Sequence, residues 1–348
     1  MDDVVVRGRV VVSDGAMTPN ELDVPTGERD LPTDRYGLIR RHSAVRAGFT
    51  DHELSSRVAA GTLRRVGRGT FLVPATIDRR DAALVAENAV NDFRLTSIAL
   101  VTGSNCSGRS VLSHESAAAI HGLGMLKPAL GRVHVTTGTR SGGQMRKAVH
   151  SHASELSPDD VVVIDGISVT SLARTAVDLA QSVRPTDPLA FAKALVVLDG
   201  ALHAGASSEA LTALLTGARR GGTRFAKSAL SWADGGAESV GESWGRAQLI
   251  QAGLRVPKLQ VEHVIGGRTY RVDGDWDGKL AWEFDGFTKY LRYRKPGESI
   301  ADAVWREKQR EDALRSAGIM VIRAWWAMLE RRTLPQLVAP WLDRLGLR

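Results

Sequence analysis

The strongest constraint on the fold is a run of three strand-like segments between residues 259 and 285. In each segment apolar and polar residues alternate with a period of two, and two glycine-containing turns separate the segments. A helix predicted from 242 to 252 precedes them, and a helix from 299 to 317 and an apolar strand from 319 to 325 follow. This order predicts a unit over residues 238–348 in which helices flank a largely antiparallel sheet.

Acidic residues occupy alternate positions in the second and third of these strands. Arg271, Asp273 and Asp275 alternate with Tyr270, Val272 and Trp276, and Glu283 and Asp285 alternate with Trp282 and Phe284. Because the apolar residues must cover a core, we expect the acids to share the opposite face. A three-residue hairpin loop with Gly278 in the left-handed conformation places Asp273 and Glu283 on one side, whereas a two-residue Asp-Gly turn separates them.

A face that collects several carboxylates predicts a cation site. Like charges repel one another, a divalent cation removes the repulsion, and oxygen-only ligands select Mg²⁺ or Mn²⁺. Such an ion activates water and stabilises the charge that develops on a phosphodiester. The alternative is that these acids lie on the solvent face of an antiparallel sheet, where charged residues are common.

The spacing of the acids resembles that of the PD-(D/E)XK nuclease superfamily, in the branch related to very-short-patch repair endonucleases, over roughly residues 238–330. The resemblance implies a restriction-endonuclease-like core in which Asp273, Glu283 and Glu242 hold Mg²⁺ or Mn²⁺. It implies catalytic positions at Asp273, Glu283, Asp285 and Lys289. The lysine of the family stands two residues after the glutamate, where this chain has Asp285, so Lys289 is the candidate replacement.

A second pattern, between residues 35 and 75, combines predicted helices with clustered arginines. Thr50 followed by Asp51 and Glu53 predicts a helix start, and residues 63–73 predict two short strands around a glycine-rich turn. Helix, turn, helix and basic hairpin is the outline of a winged helix-turn-helix. The arginines expected to contact DNA are Arg40, Arg41, Arg57, Arg64, Arg65 and Arg68. The alternative is a small helical domain with a solvated arginine face.

The stretch from Gly37-Leu-Ile to Arg68-Gly-Thr-Phe-Leu-Val resembles the N-terminal domain of AbiEi-type antitoxins, the autorepressors of type IV toxin–antitoxin systems. The middle of the chain resembles that of actinobacterial AbiEi-like proteins. These resemblances imply DNA, a toxin protein and a second copy of the chain as partners. Two functions are therefore open: a Mg²⁺-dependent DNA endonuclease, or an AbiEi-like repressor whose nuclease-fold domain is inactive. Asp285 in the lysine position favours the repressor, and the retained Asp273, Glu283, Lys289 and Glu242 favour the nuclease.

The predicted fold class is a multidomain α+β and α/β chain. Its segments are a disordered leader (1–34), a winged helix-turn-helix (35–75), an AbiEi-like middle domain (76–215), a basic linker (216–237) and the nuclease-like domain (238–348).

Forty-six Lys and Arg against 39 Asp and Glu give a net charge of +7, which favours a polyanionic partner. The single cysteine excludes an intrachain disulfide and a cysteine-based metal site. The sequence lacks a signal-peptide pattern and an apolar run of about 18 residues, which predicts a cytoplasmic protein without a membrane partner.

A run of Ser113, His114 and Glu115 in the middle domain suggests a hydrolase site. Neighbouring residues on a helix point about 100° apart and cannot form a proton relay. We therefore expect Ser113 to be the N-cap of a helix, and the middle domain to act as a scaffold or partner-binding domain.

Overall fold

The computed structural model describes residues 30–76, 82–103, 110–139, 143–216, 222–285 and 299–348. Over these residues the chain is a mixed α/β protein with three separate sheets. No helix of the described residues is long and apolar enough to cross a membrane.

The first sheet belongs to a small N-terminal unit. Its elements are β1 (Ile39–Arg40), α1 (Arg41–Arg46), α2 (Asp51–Ala59), β2 (Arg64–Gly67) and β3 (Thr70–Leu72), with strand order β1-β3-β2. Helix α2 begins as predicted, because the Thr50 side chain accepts from the Glu53 backbone N–H and the Glu53 side chain accepts from that of Thr50. Of the predicted leader, residues 1–29 lie outside the described residues, and Leu31 packs against the core of this unit.

The second sheet has six strands and lies in the middle of the chain. Its strands are β4 (Val111–Leu112), β5 (Val133–Thr136), β6 (Gln144–Met145), β7 (Val149–His152), β8 (Val161–Ile164) and β9 (Ile167–Thr170). The order is β6-β7-β5-β4-β9-β8, with parallel pairing of β5 with β7 and of β4 with β9. Helices α3 (Ala82–Val101) and α4 (His114–His121) pack against it. Strands β8 and β9 form a hairpin across Asp165 and Gly166, and both residues have positive φ.

A helical layer follows this sheet and connects it to the C-terminal unit. The helices are α5 (Leu172–Ser182), α6 (Ala190–His203), α7 (Ser208–Leu215) and α8 (Thr223–Leu230). Helix α8 lies inside the stretch predicted to be a basic linker, and it buries Thr223, Ala226 and Ala229. The linker prediction therefore does not hold for residues 223–230, because their small side chains let α8 pack closely on its neighbours.

The third sheet forms the C-terminal unit. Its elements are α9 (Val240–Gln251), β10 (Lys258–Ile265), β11 (Arg268–Trp276), β12 (Leu280–Asp285), α10 (Ile300–Ser316), β13 (Met320–Trp325), α11 (Trp326–Arg331) and α12 (Leu334–Arg344). The strand order is β10-β11-β12-β13, and β13 runs parallel to β12. The predicted succession of helix, three antiparallel strands, helix and strand is confirmed.

Two glycines let α9 lie directly on β12. A Cβ on Gly241 would lie 2.1 Å from the Phe284 ring, and one on Gly245 would lie 2.5 Å from the Trp282 ring. The close contact holds the first turn of α9, which carries Glu242, beside the third sheet.

One hydrophobic core joins the middle helices to the C-terminal unit. It contains Leu195 and Leu198 of α6, Trp244 of α9 and Trp282 of β12. Residues on both sides of the predicted 215/238 boundary therefore pack in one core.

Candidate active site in the C-terminal unit

The β11–β12 hairpin has the three-residue loop predicted from the sequence. Trp276 pairs with Leu280 and Gly274 with Trp282, so the loop is the three residues 277–279. Gly278 has φ of +69°, the left-handed conformation expected for such a loop. The pairing of the two strands runs as far as Gly274 and Trp282, and Asp273 Oδ2 accepts a 2.8 Å hydrogen bond from the Phe284 backbone N–H. The predicted loop length is therefore present, but the predicted placement of Asp273 and Glu283 on one side is not supported, since Asp273 interacts with Glu242 of α9 and Glu283 contacts Arg310 of α10.

The predicted regular alternation along β11 is wrong. Val272 packs with Ala281, Leu314 and Ile319, whereas Trp276 belongs to the large core on the other face of the sheet. The change of face occurs opposite Gln260 of β10. This residue lies between the two β10 residues that pair with Gly274 and Val272, and its φ is +52°. A non-glycine residue in this conformation is strained, and such residues concentrate at functional sites.

Gln260 also contacts the helix acid of the site. Its Nε2 donates to Oε2 of Glu242 over 3.2 Å, and Oε2 accepts from the Glu238 backbone N–H over 2.9 Å. The Ser239 hydroxyl lies 2.7 Å from Oε1 of Glu242. Glu242 is 6% exposed, and burial, followed by the negative charge of Asp273, raises its pKa to about 7.

Glu283 is bound by cationic side chains from two other elements. It is 2% exposed, its carboxylate contacts Arg310 of α10 directly, and Arg323 of β13 lies 3.9 Å away. Burial nevertheless raises the pKa of Glu283. The alternative of a solvent-exposed acidic face does not hold for Glu283, since α10 covers it.

The ion pairs around Glu283 form a network with an excess of negative charge. Arg310 also binds Glu307 at 2.9 Å, and Arg323 binds Glu307 at 2.6 Å, Glu311 at 2.8 Å and Asp285 at 3.3 Å. Arg315 joins the network through a 2.5 Å contact with Glu311. Burial acts to raise the pKa of Glu307, but its bonds to Arg310 and Arg323 outweigh burial and lower it. Four carboxylates against three guanidinium groups leave a formal charge of −1 on this network.

Asp285, at the position where the resemblance to the PD-(D/E)XK superfamily would place a lysine, is held by Arg323. Asp285 contacts Arg323 on the parallel neighbour strand, where Glu283 pairs with Arg323 and Asp285 with Trp325 in the register. Lys289, the predicted replacement, lies outside the described residues. Lys308 of α10 is exposed and lies 5.8 Å from the centre of the Trp305 ring.

The contacts of Asp275 are those of a residue that stabilises the fold. It is 3% exposed, its Oδ2 lies 3.0 Å from His263 Nε2, and its Oδ1 accepts from the Gly278 backbone N–H over 2.7 Å. These bonds stabilise the β11–β12 hairpin loop.

The donor set suits a hard cation, although the three predicted ligands do not converge on one point. Within the part of the chain that the structure describes, the acids Glu242, Asp273 and Glu283 do not form a group of three ligand atoms within 4.8 Å of one another. Glu242 and Asp273 interact electrostatically, whereas the carboxylate of Glu283 is bound by Arg310. Mg²⁺ is commonly held by one or two carboxylates, with water and substrate phosphate oxygens completing its shell, so the arrangement fits such an ion.

Of the six arginines predicted to contact DNA, Arg40 and Arg41 each bind an aspartate of the N-terminal unit. Arg40 is largely buried and binds Asp34, Thr70 and Thr102, so its side chain is used to hold the N-terminal unit together. The predicted phosphate contact of Arg40 is therefore not supported by the geometry. Arg41 forms an ion pair with Asp51, and both are exposed.

The remaining predicted arginines lie on α2 and the β2–β3 hairpin. Arg57 stands over the Phe49 ring and Arg65 over the Phe71 ring, at 5.5 and 5.2 Å from the ring centres. Arg64 binds Asp92 of α3 at 2.9 Å. Arg68 is exposed in the hairpin turn. Arg57, Arg65 and Arg68 are thus the best placed to meet a phosphate backbone.

Sequence reasoning missed two residues of the site, Arg323 and Gln260. A signal for Arg323 existed, since it is the one charged residue in the otherwise apolar segment 319–326. Gln260 gives no such signal, because a side chain of its type is ordinary in a strand and only the folded backbone shows its positive φ.

No family model matches this chain. Two proteins of Mycobacterium tuberculosis, from strains CDC 1551/Oshkosh and ATCC 25618/H37Rv, are each 32% identical to it over 173 residues. The match covers 45% of this chain and 62% of each mycobacterial protein, so the chain spans less than two thirds of the length of these curated relatives. Both are described only as uncharacterized proteins, and the similarity therefore supplies no activity.

Proposed function

We propose that this protein binds DNA through its N-terminal unit and hydrolyses phosphodiester bonds in its C-terminal unit with Mg²⁺ or Mn²⁺. The observation that carries the proposal is that Asp273 lies near the buried Glu242 and binds the β12 backbone at the residue after Glu283. This placement agrees with the resemblance to the PD-(D/E)XK superfamily in element order and in the spacing of its acids.

The roles of the protein groups follow from their contacts. Asp273 and Glu242 would hold such an ion through carboxylate oxygens, and Glu283 is the third acid that the resemblance implies as a ligand. The bound ion would activate water and stabilise the charge on the scissile phosphate. Arg310 and Arg323 hold the Glu283 carboxylate in place and keep its buried charge compensated, which is the condition for retaining such a group in a covered site.

The test is cleavage of supercoiled plasmid and of mismatched duplex by the purified full chain with Mg²⁺, with Mn²⁺ or with a chelator. We expect nicking or cleavage that requires the metal, and a loss of about 100-fold or more in Asp273→Asn, on the scale of removing one charge-stabilising group. Glu283→Gln should lose activity similarly. Asp277→Asn is the matched control, because Asp277 lies in the same hairpin but forms an exposed ion pair with Arg255.

Because Glu283 is buried in ion pairs, its substitution can unfold the unit, so circular dichroism must accompany the assay. Asp273 is less buried than Glu283, so the Asp273→Asn variant is the one that tests the proposed site. Equal cleavage by the wild type, Asp273→Asn and Asp277→Asn would show that the activity comes from a contaminant and would refute the proposed site.

A second candidate is a repressor without nuclease activity, which Asp285 in the lysine position and the neutralisation of Glu283 by Arg310 favour. It predicts DNA binding without cleavage under every metal condition. In that case the wild type and Asp273→Asn would shift a DNA probe equally.

DNA binding itself is tested by salt titration of affinity for a duplex. Replacing Arg65 and Arg68 with alanine should weaken binding and lower the slope of log K against log salt by about 1 for each phosphate that is no longer neutralised. Arg331→Ala, at an exposed position on α11, is the control. A slope that is unchanged in the Arg65→Ala/Arg68→Ala variant would exclude the hairpin from the DNA interface.

A further inference from the structure

A cluster of histidines lies in the middle of the chain, apart from the carboxylate site. His114 is the first residue of α4, His134 is in β5, and His150 and His152 are in β7. The parallel register pairs His134 with His150 and Thr136 with His152, so these side chains share one face of the second sheet. The start of α4 adds His114, whose ring stacks on that of His152 with 3.8 Å between ring centres.

Three of these histidines present nitrogen atoms to one another. One ring nitrogen from each of His114, His134 and His152 lies within 4.8 Å of the others, and Nδ1 of His134 is 2.9 Å from Nε2 of His152. Zinc binds imidazole nitrogen at about 2.0–2.1 Å, which separates two ligands of a tetrahedral ion by roughly 3.3 Å. The observed spacing therefore needs little rearrangement to hold an ion.

Polar groups without hydrogen-bond partners surround this cluster. The buried Oε2 of Glu115 and the buried Oγ1 of Thr136 have no hydrogen-bond partner among the described residues. Glu115 Oε2 lies 3.5 Å from His134 Nδ1, and Thr136 is the register partner of His152. Buried polar atoms are nearly always satisfied in folded proteins, so these two indicate a site that takes a ligand or ion.

The orientation of His114 is unusual and is supported by a neighbour. Its φ of +50° is a left-handed conformation, which is strained for a residue with a side chain. The Ser113 hydroxyl lies 3.0 Å from His114 Nδ1, and within the described residues no hydrogen bond joins the Ser113 side chain to the backbone of α4. Ser113 is the N-cap residue of α4, as expected, but its hydroxyl does not bond to the helix backbone. The contact instead orients the imidazole ring, as the outer hydrogen-bond partners of metal-bound histidines do.

We propose that His114, His134 and His152 bind one transition-metal ion, with Glu115 beside the remaining coordination position. Imidazole ligands suit Zn²⁺, Cu²⁺, Ni²⁺ and Fe²⁺ and distinguish this site from the oxygen-rich carboxylate site, which favours Mg²⁺ or Mn²⁺. Burial, together with the nearby side chains of His150 and Arg132, lowers the pKa of His134 to about 4. Its ring is thus neutral near pH 7, which is the form that binds metals.

The first experiment is titration of the chelator-stripped full chain with Co²⁺, read by visible absorption, and then with Zn²⁺ in competition with a chromogenic chelator. We expect one equivalent of cobalt with the intense absorption of a four-coordinate ion, displaced by one equivalent of zinc. A cobalt spectrum like that of the hydrated ion, or no stoichiometric zinc binding, overturns the proposal and leaves a metal-free histidine cluster. This readout needs no variant and so is independent of any effect of mutation on folding.

Variants then assign the ligands. His134→Gln and His152→Gln should each weaken zinc binding by about 100-fold or more, and Glu115→Gln by about 10-fold, as for an outer partner. His150→Gln is the matched control, because His150 lies on the same strand and face but outside the group of three. Equal zinc affinity of His152→Gln and wild type, or an equal loss in His150→Gln, refutes this ligand set. The result does not depend on whether the C-terminal unit cleaves DNA.

Discussion

At the scale of single residues, the candidate active site concentrates unfavourable features. Glu242 is a buried acid next to another acid, Gln260 has a strained backbone, and Glu283 is almost fully covered. Each feature lowers stability unless a bound group compensates for it, and natural chains keep such features chiefly at functional sites. Arg310 and Arg323 compensate for Glu283, whereas Glu242 has neutral hydrogen-bond donors and negatively charged neighbours.

This environment of Glu242 predicts a pH dependence of stability in the absence of metal. Its pKa is about 7 in the folded chain against an ordinary value of 4.5, so the folded chain retains a proton that the unfolded chain releases between these values. The associated stability is complete below about pH 4.5 and is lost as pH rises through about 7. In chelator, the free energy of unfolding should fall over this range by an amount on the order of 3 kcal/mol that Glu242→Gln abolishes.

Urea unfolding at several pH values measures this effect. Glu262→Gln, which removes an exposed carboxylate of β10, is the control and should leave the pH profile of the wild type unchanged. A Glu242→Gln protein with the same pH dependence as the wild type would show that Glu242 is ionised throughout.

At the scale of elements, the packing of α9 on β12 positions the site. Helix α9 approaches the strand through Gly241 and Gly245, and Glu242 follows the first of these glycines directly. The three-residue loop of the β11–β12 hairpin sets the register of the strands that carry Asp273 and Glu283. The site therefore depends on two local contacts between elements in addition to its acidic residues.

Gly241→Ala is expected to lower stability despite the higher helix propensity of alanine. The new methyl group would meet the Phe284 ring at 2.1 Å, and overpacking of this kind costs about 1–3 kcal/mol. Urea denaturation measures the loss, and metal-dependent cleavage should fall with it because Glu242 moves with the helix. Gly131→Ala, in an open turn with nothing within 4 Å, should change stability by less than about 0.5 kcal/mol. An unaltered Gly241→Ala protein would contradict the close packing.

At the scale of the whole molecule, the middle helices and the C-terminal unit are connected by a buried ion pair. Asp199 of α6 binds Arg246 of α9 at 2.7 Å, and the two side chains are 0% and 4% exposed. Asp199 also accepts from the Asp234 backbone N–H, and Arg246 donates to the Trp232 carbonyl. The pair, together with the common hydrophobic core, makes the two regions one cooperative body.

Asp199→Ala should therefore destabilise the middle helices and the C-terminal unit together by about 3–5 kcal/mol, because it leaves the buried charge of Arg246 uncompensated. Thermal unfolding followed by tryptophan fluorescence and by circular dichroism should shift by the same amount. The double variant Asp199→Leu/Arg246→Met removes both charges and should recover much of the stability. A decrease as large in the double variant as in Asp199→Ala would contradict the ion-pair explanation.

The sequence by itself predicted the features that depend on neighbouring residues. Alternation and glycine turns indicated the strands of the C-terminal unit, and Gly278 indicated the three-residue loop between β11 and β12, because strand periodicity and turn length are set within a few residues. Capping residues predicted the start of α2 in the same way. Contacts between distant segments were decided only by the tertiary structure: the arginines on Glu283, the change of face at Gln260, the assembly of His114, His134 and His152, and the core that spans the predicted linker. These depend on which elements meet in space, and local periodicity carries no information about that.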